Sequence, residues 1–247
     1  MIPLVYVFAT DGYTETAIKD FLRKINTRAT WVIKSPRLMK LAKRDYDNNR
    51  MLPVLTGRTG TSLEEYMLDE VSKHPTILTE CAAVLLEDDV DMRDASIDQD
   101  EFLVAQHKRL GAKLAEINSG CTAQMICLYA APEIETWFIE DWKNSFGKTG
   151  DFNQQIATQL RTPLNKIKET CDGAFERYSH HFREKLSVWL SDETHKLSIE
   201  HNITDKRMAS YSKSYHGSKF LRSINPAVVE TKCRVYFAKA YHTIQGI

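Results

Sequence analysis

Four short segments of this 247-residue chain carry residue types that could do chemistry. The densest is Asp88-Asp89-Val90-Asp91. In an extended chain, residues two apart point the same way, so Asp89 and Asp91 could face one site. Carboxylates packed there repel one another and lose hydration unless a cation compensates. Hard oxygen donors of this kind suit Mg²⁺ or Mn²⁺ rather than zinc. The alternative is an acidic loop running on through Asp94, Asp98 and Asp100. A second segment, Asp11-Gly12-Tyr13-Thr14-Glu15, lies between an apolar strand and a helix, at the strand end where open α/β sheets bind ligands. A plain turn explains the same residues: Asp11 and Gly12 bend the chain, Thr14 caps, and Glu15 favours the helix dipole. In the third, Pro132 to Asp141, Glu135 is either a further site carboxylate or a helix-start residue, while Trp137 and Phe138 look like core. The fourth, Tyr211 to Leu221, mixes Lys213, Lys219, His216, hydroxyls and Gly217. It could bind phosphate or be a solvated loop.

Other motifs offer less. Gly57-Arg58-Thr59-Gly60-Thr61-Ser62 lacks the Gly-Lys-Ser/Thr ending of a nucleotide P-loop. His180-His181 and the His195, His201 pair have no metal-ligand partners at persuasive spacing, and there is no serine nucleophile elbow. The five cysteines are widely spaced and form no CxxC pair, which argues against a zinc ribbon or a disulfide framework. A reducing cytoplasm is the expected location.

The elements that must position these residues follow from hydrophobic period. Pro3 to Ala9 reads as a strand bounded by Asp-Gly, and Thr14 to Arg28 as a helix with Ala17, Ile18, Phe21, Leu22 and Ile25 on one face. Trp31–Ile33 and Met51–Leu55 read as short strands, followed by a helix from about Leu63 to Lys73 that Thr61 or Ser62 can cap. Ala82 to Leu86 is a continuous apolar run ending in acids, the pattern of a buried central strand. A helix over Asp98 to Ile117 and a strand over Ala123 to Tyr129 complete an alternation that predicts an α/β fold with a mostly parallel sheet and flanking helices. After Pro132 the pattern turns helical. The expected organisation is an α/β core over 1–131 and a mainly helical extension packed on it over 132–247.

Lys+Arg and Asp+Glu balance at 33 each, so bulk charge does not announce a nucleic-acid binder. The distribution is uneven. Glu80 to Glu101 holds nine acids and one base, Thr204 to Lys239 eight bases and two acids, and Glu15 to Arg50 ten bases and four acids. Solvated faces account for many such charges. A metal-binding acidic centre beside basic, phosphate-holding surfaces accounts for them as well. No apolar run approaches the roughly 18–20 residues of a membrane span, and no membrane association is expected.

In chain order, the four segments resemble the small Toprim-like proteins of prokaryotic defence loci, which are often encoded beside an ABC-type ATPase and are related to the Toprim domains of overcoming-lysogenisation-defect nucleases, topoisomerases and primases. The resemblance spans about residues 3 to 240. It places the first-strand acid, usually Glu in that family, on Asp11, one methylene shorter. Glu15 matches the second acid of that motif, Asp89 and Asp91 the DxD (with Asp88 an alternative register), Glu135 and Trp137 a Glu-x-Trp, and Lys213 and Gly217 a late basic motif. What it implies is a metal-dependent nuclease. Asp11, Glu15, Asp89, Asp91 and Glu135 would be metal ligands, Lys213 would stabilise developing charge, and Lys213 and Lys219 would contact nucleic acid. The cofactor would be Mg²⁺ or Mn²⁺, the substrate DNA or an RNA such as tRNA, the partner an ABC-type ATPase of an antiphage system; the chain could also pair with a second copy.

A second reading, from a different class, is a non-catalytic regulatory subunit docked on the ATPase. An acidic cluster splayed apart, with Lys or Arg filling its centre, would favour it. Three expectations follow: Asp11 and Asp89 lie at one sheet edge, Lys213 and Lys219 border the acids, and Asp89, held only by a metal, contributes little to folding.

Overall fold

The computed structural model describes residues 2–10, 15–36, 38–45, 50–56, 61–90 and 99–247. The first half runs β1 (Leu4–Ala9), α1 (Glu15–Ile25), β2 (Thr30–Lys34), β3 (Leu38–Asp45), β4 (Arg50–Thr56), α2 (Thr61–Lys73), α3 (Ile77–Glu80), β5 (Ala83–Asp89), α4 (Gln99–Ile117) and β6 (Gln124–Ala130). The second half is helical: α5 (Glu135–Glu140), α6 (Gln154–Thr170), α7 (Tyr178–His181), α8 (Leu186–Glu200), α9 (Lys206–Ala209), α10 (Lys213–Ser223), α11 (Pro226–Lys232) and α12 (Phe237–Gln245).

Four strands form one sheet in the order β2-β1-β5-β6, every neighbouring pair parallel. The α/β class expected from the alternating pattern is the observed one. Strands buried on both faces read as unbroken apolar runs, and all seven residues of β5 are buried. The pleat divides them. Val5, Val7, Ala83, Leu85, Ile126 and Leu128 pack on one face with α1 and the C-terminal helices. Phe8, Val84, Leu86, Cys127 and Tyr129 pack on the other with Leu63 and Met67 of α2 and Leu110 and Leu114 of α4. Strand order reverses between β1 and β5, where one half of the sheet grows toward β2 and the other toward β6. A crevice at the carboxyl ends of the strands is the expected ligand position at such a point.

The Met51–Leu55 strand departs from expectation. As β4 it pairs antiparallel with β3 in a separate two-stranded sheet, Leu38 opposite Thr56 and Asp45 opposite Arg50. Only 46–49 separate the two strands, and parallel pairing needs a crossover of a dozen or more residues. β3 itself was illegible because Lys40, Lys43 and Arg44 blur its alternation. The Ala174–Leu190 segment mixes short helices with irregular chain. It holds a 3-10 turn, the four-residue α7 and an extended stretch before α8.

The helical half shares its core with the sheet. Trp137 of α5 is fully buried, stacks on Phe21 of α1 at 5.3 Å between ring centroids, and meets Phe237 of α12 edge-on at 4.9 Å. Offset and edge-to-face pairs of this kind add to the burial of the rings. Trp137→Ala is expected to cost about 3–5 kcal/mol in urea unfolding. A loss below about 1 kcal/mol would show that α1 and the helical layer do not depend on this contact.

Candidate functional site

Because side chains alternate along a strand, β5 sends Glu87 and Asp89 to the same face as Ala83 and Leu85, toward the C-terminal helices. Asp88 points the other way, and its Oδ1 accepts the Asp89 amide at 2.9 Å. The pair of acids two apart that the fold brings into view is therefore Glu87 and Asp89. Asp91, the expected partner of Asp89, lies outside the described residues, as does Asp11. Glu15 opens α1, and its side chain is likewise outside the description.

Asp89 holds two partners. Its Oδ1 accepts the Ile134 N–H at 3.0 Å, and its Oδ2 accepts from Lys213 Nζ at 3.1 Å. Lys213 stands at the start of α10 and reaches across to Glu135 as well, with Nζ 3.7 Å from Oε2. Tyr211 donates its hydroxyl to Glu135 Oε1 at 2.7 Å and its backbone N–H to Thr194 Oγ1 of α8 at 2.7 Å. Glu135 has no exposed surface, and its Oε2 has no hydrogen-bond partner among the described residues. Glu133 does structural work instead. Its carboxylate accepts the N–H and hydroxyl of Ser187, both at 2.9 Å, in the first turn of α8.

These contacts overturn one expectation. Asp89 is not held only by a metal: it ties the start of α5 to β5 and balances a lysine. The Tyr211–Leu221 segment is not a solvated loop. It is mostly helix α10, with His216, Gly217, Phe220 and Leu221 buried. Lys213 joins the acidic cluster as expected, whereas Lys219 turns to Tyr215, donating to its hydroxyl at 3.0 Å over the same ring.

The electrostatics follow from burial. Burial pushes the Glu87 carboxyl up to about 8, with Asp89 adding repulsion and the Thr10 N–H, 3.2 Å from Oε2, opposing. Burial raises Glu135 to about 7 against the attraction of Lys213. Burial raises Glu133 too, and Ser187 opposes it. For Lys213, burial disfavours the charge, but Glu135, Asp89 and Glu133 outweigh it and hold the ammonium more firmly than usual. Since 39% of that side chain remains exposed, solvent screens part of this attraction.

Asp89 and Glu135 are hard oxygen donors, and Mg²⁺ is commonly held by one or two carboxylates with water and phosphate completing its shell. Glu135 Oε2, which faces the Lys213 ammonium and has no hydrogen-bond donor among the described residues, fits that role. Among the described residues, no group of three or more His, Cys, Asp or Glu side chains is placed to hold a metal. Sequence reasoning missed Glu87 and Tyr211. The same rule of two applied one register earlier would have found Glu87; nothing local marks Tyr211, whose partner is 76 residues away. The chain matches no protein-family model, no curated protein and no solved structure.

Removing Asp89 orphans the Ile134 N–H and leaves Lys213 only the more distant Glu135, so Asp89→Ala is expected to lose about 1–3 kcal/mol in denaturant unfolding. Asp89→Asn keeps an acceptor for Ile134 and should lose less. Equal or greater stability of Asp89→Ala would return the residue to the role of a carboxylate with no structural duty.

Glu87 also sets a pH dependence. Its native proton affinity exceeds that of the unfolded chain, so between about 4.5 and about 8 the native state binds the extra proton and stability falls as pH rises. The stabilisation is complete below the unfolded value and gone above the native one. In metal-free buffer, Glu87→Gln should flatten the decline of the urea midpoint from pH 5 to 9. An unchanged slope would assign the decline to other groups.

Proposed function

We propose that the chain is a divalent-metal-dependent nuclease that hydrolyses phosphodiesters of DNA or of an RNA such as tRNA, as the effector of an antiphage system with an ABC-type ATPase partner. One observation carries the reading. At the carboxyl end of a parallel sheet, beside its switch point, a buried Glu135 oxygen without a hydrogen-bond donor among the described residues shares the ammonium of Lys213 with Asp89. Buried carboxylate oxygens in native proteins almost always find a donor. One that does not is suited to a cation. The resemblance to Toprim-like proteins points the same way.

Asp89 and Glu135 would hold Mg²⁺ or Mn²⁺, and we propose Asp11, Glu15 and Asp91 as further ligands. The ion, when bound, supplies Lewis-acid polarisation of the phosphate and a more acidic water. The chain's own groups do the rest. Tyr211 fixes Glu135 Oε1 and so leaves Oε2 to face the cation. Lys213 offers positive charge where the phosphorane develops negative charge. Lys219, partly exposed on α10, is proposed to contact the polyanion. No helix among the described residues is long and apolar enough to cross a membrane. We propose that the protein acts in the cytoplasm.

A specific observation favours the second reading, a non-catalytic regulatory subunit of the ATPase complex. Lys213 already stands between Asp89 and Glu135, where it supplies the positive charge that the acids need.

The deciding experiment offers Mg²⁺ or Mn²⁺ to the protein purified with its ATPase partner, with DNA and tRNA as substrates. Cleavage that drops about 100-fold or more in Glu135→Gln and in Lys213→Ala, with both variants folded, is the expected result. No cleavage with either metal on either substrate would leave the regulatory reading.

A further inference from the structure

Two clefts on the helical half meet at one residue. The larger, about 460 Å³, lies between the end of α6, the Phe175–Arg177 turn and the α11–α12 junction, and Lys168, Arg177, Lys232 and Arg234 line it. The smaller, about 190 Å³, continues along α6 past Arg161 and Trp142. Lys168 belongs to the walls of both. The result is a groove with five cationic side chains along its length.

The acids beside it are already engaged. Glu176 is buried, and its oxygens accept the N–H groups of Val235 and Tyr236, both at 3.0 Å. Glu140 is held by Lys168 at 2.6 Å. Asp172 pairs with Arg177 at 3.2 Å, but both side chains are about half exposed or more, and an exposed pair of this kind yields readily to a better anion. Arg161, Lys232 and Arg234 have no ion pair among the described residues. Helix dipoles account for Lys168 and Lys232, which stand in the last turns of α6 and α11. They do not account for Arg161, Arg177 or Arg234.

Among the described residues, the groove lacks a free stacking platform. Phe146 stacks on Trp142 at 5.0 Å, and the Arg161 guanidinium lies over the Trp142 ring at 5.6 Å. Phe175 is buried. The groove therefore offers charge without base-reading surface, and that decides the class of ligand. A nucleotide site would need a place for the base, whereas a run of phosphates needs only spaced cations.

We propose that this groove binds the phosphodiester backbone of a nucleic acid, independently of base identity, as a second contact surface apart from the acidic cluster. The inference rests on the nucleic-acid part of the proposed function, but it requires neither a metal nor cleavage. Arg161, Arg177, Lys232 and Arg234 are the contacting side chains, and Lys168 contributes its field.

The test measures binding of fluorescent DNA and RNA oligonucleotides of mixed sequence in EDTA across a salt series, for the full chain and for Lys232→Ala/Arg234→Ala. Both substitutions are on exposed side chains, and a thermal melt confirms that the variant is folded. The expected result is at least about a tenfold weaker complex at 0.1 M salt, with the slope of log affinity against log salt reduced by about 1.5, the loss of two phosphate contacts. Affinity should change little between homopolymer sequences, and inorganic phosphate should compete only at high concentration. An unchanged slope in the folded variant would overturn the proposal. So would no binding by the parent chain, or tight binding of free phosphate or a mononucleotide with no gain from chain length. Slope-dependent binding by a protein that does not cut in Mg²⁺ would uphold the groove and sink the nuclease reading. Cleavage by the parent with an unchanged variant slope would do the reverse.

Discussion

The interaction on which the rest of the site depends is the shared ammonium of Lys213. Asp89 and Glu135 are both nearly or fully buried under a helical layer, and buried carboxylates without a counter-charge are costly. Lys213 provides that charge from the first turn of α10, 124 residues after Asp89. The contact therefore pins the start of α10 against the carboxyl end of β5. Tyr211, two residues before Lys213, adds a second tie through Glu135 and a third through Thr194 on α8. The C-terminal helices cannot leave this end of the sheet without exposing a lysine and stranding two acids.

Other buried acids in the helical half show what sets Glu135 apart. Glu133 accepts the first-turn groups of Ser187 on α8, Glu176 accepts two N–H groups at the start of α12, and Asp141 accepts the Asn225 N–H before α11. Each satisfies backbone donors that a helix start leaves unpaired. These carboxylates are fastenings. Among the described residues, Glu135 is fastened by Tyr211 through one oxygen only, and its other oxygen faces Lys213 at a distance too long for a hydrogen bond. A carboxylate half committed to the scaffold and half open is the arrangement that a ligand-binding group needs, because one oxygen must hold still for the other to be useful.

The doubly covered sheet gives the site its location. Because β1 and β5 are parallel neighbours with Ala9 opposite Glu87, the chain leaving β1 emerges beside the acids of β5. The Thr10 N–H already reaches Glu87 at 3.2 Å. The face of β5 that carries Glu87 and Asp89 is the one covered by the C-terminal helices rather than by α2 and α4. A single-residue slip of register would send both acids to the other face and break every contact described above.

Much of this architecture is legible in the sequence because it is set by local periodicity. The apolar runs of β1, β5 and β6 and the helical spacing of Ala17, Ile18, Phe21 and Leu22 mark an α/β sheet, and acids ending an apolar run mark the site's edge. Asp89, Glu135 and Lys213 are each visible as candidates from residue type and position. That Lys213 borders the acids is an expectation the sequence supports, but the individual contacts are not visible, because a bond such as that of Lys213 to Asp89, 124 residues apart, is encoded by no local pattern. The same limit hid β3, whose charges mask its alternation until β4 folds back on it, and it disguised α10 as a polar loop until burial of His216, Phe220 and Leu221 gave one of its faces a core to join. Residue type and period by themselves determined which elements form and which side chains could do chemistry. Only the tertiary structure decided which carboxylates became helix fastenings and which was left with an open oxygen, since that depends on whether a distant chain segment delivers a donor to a buried atom.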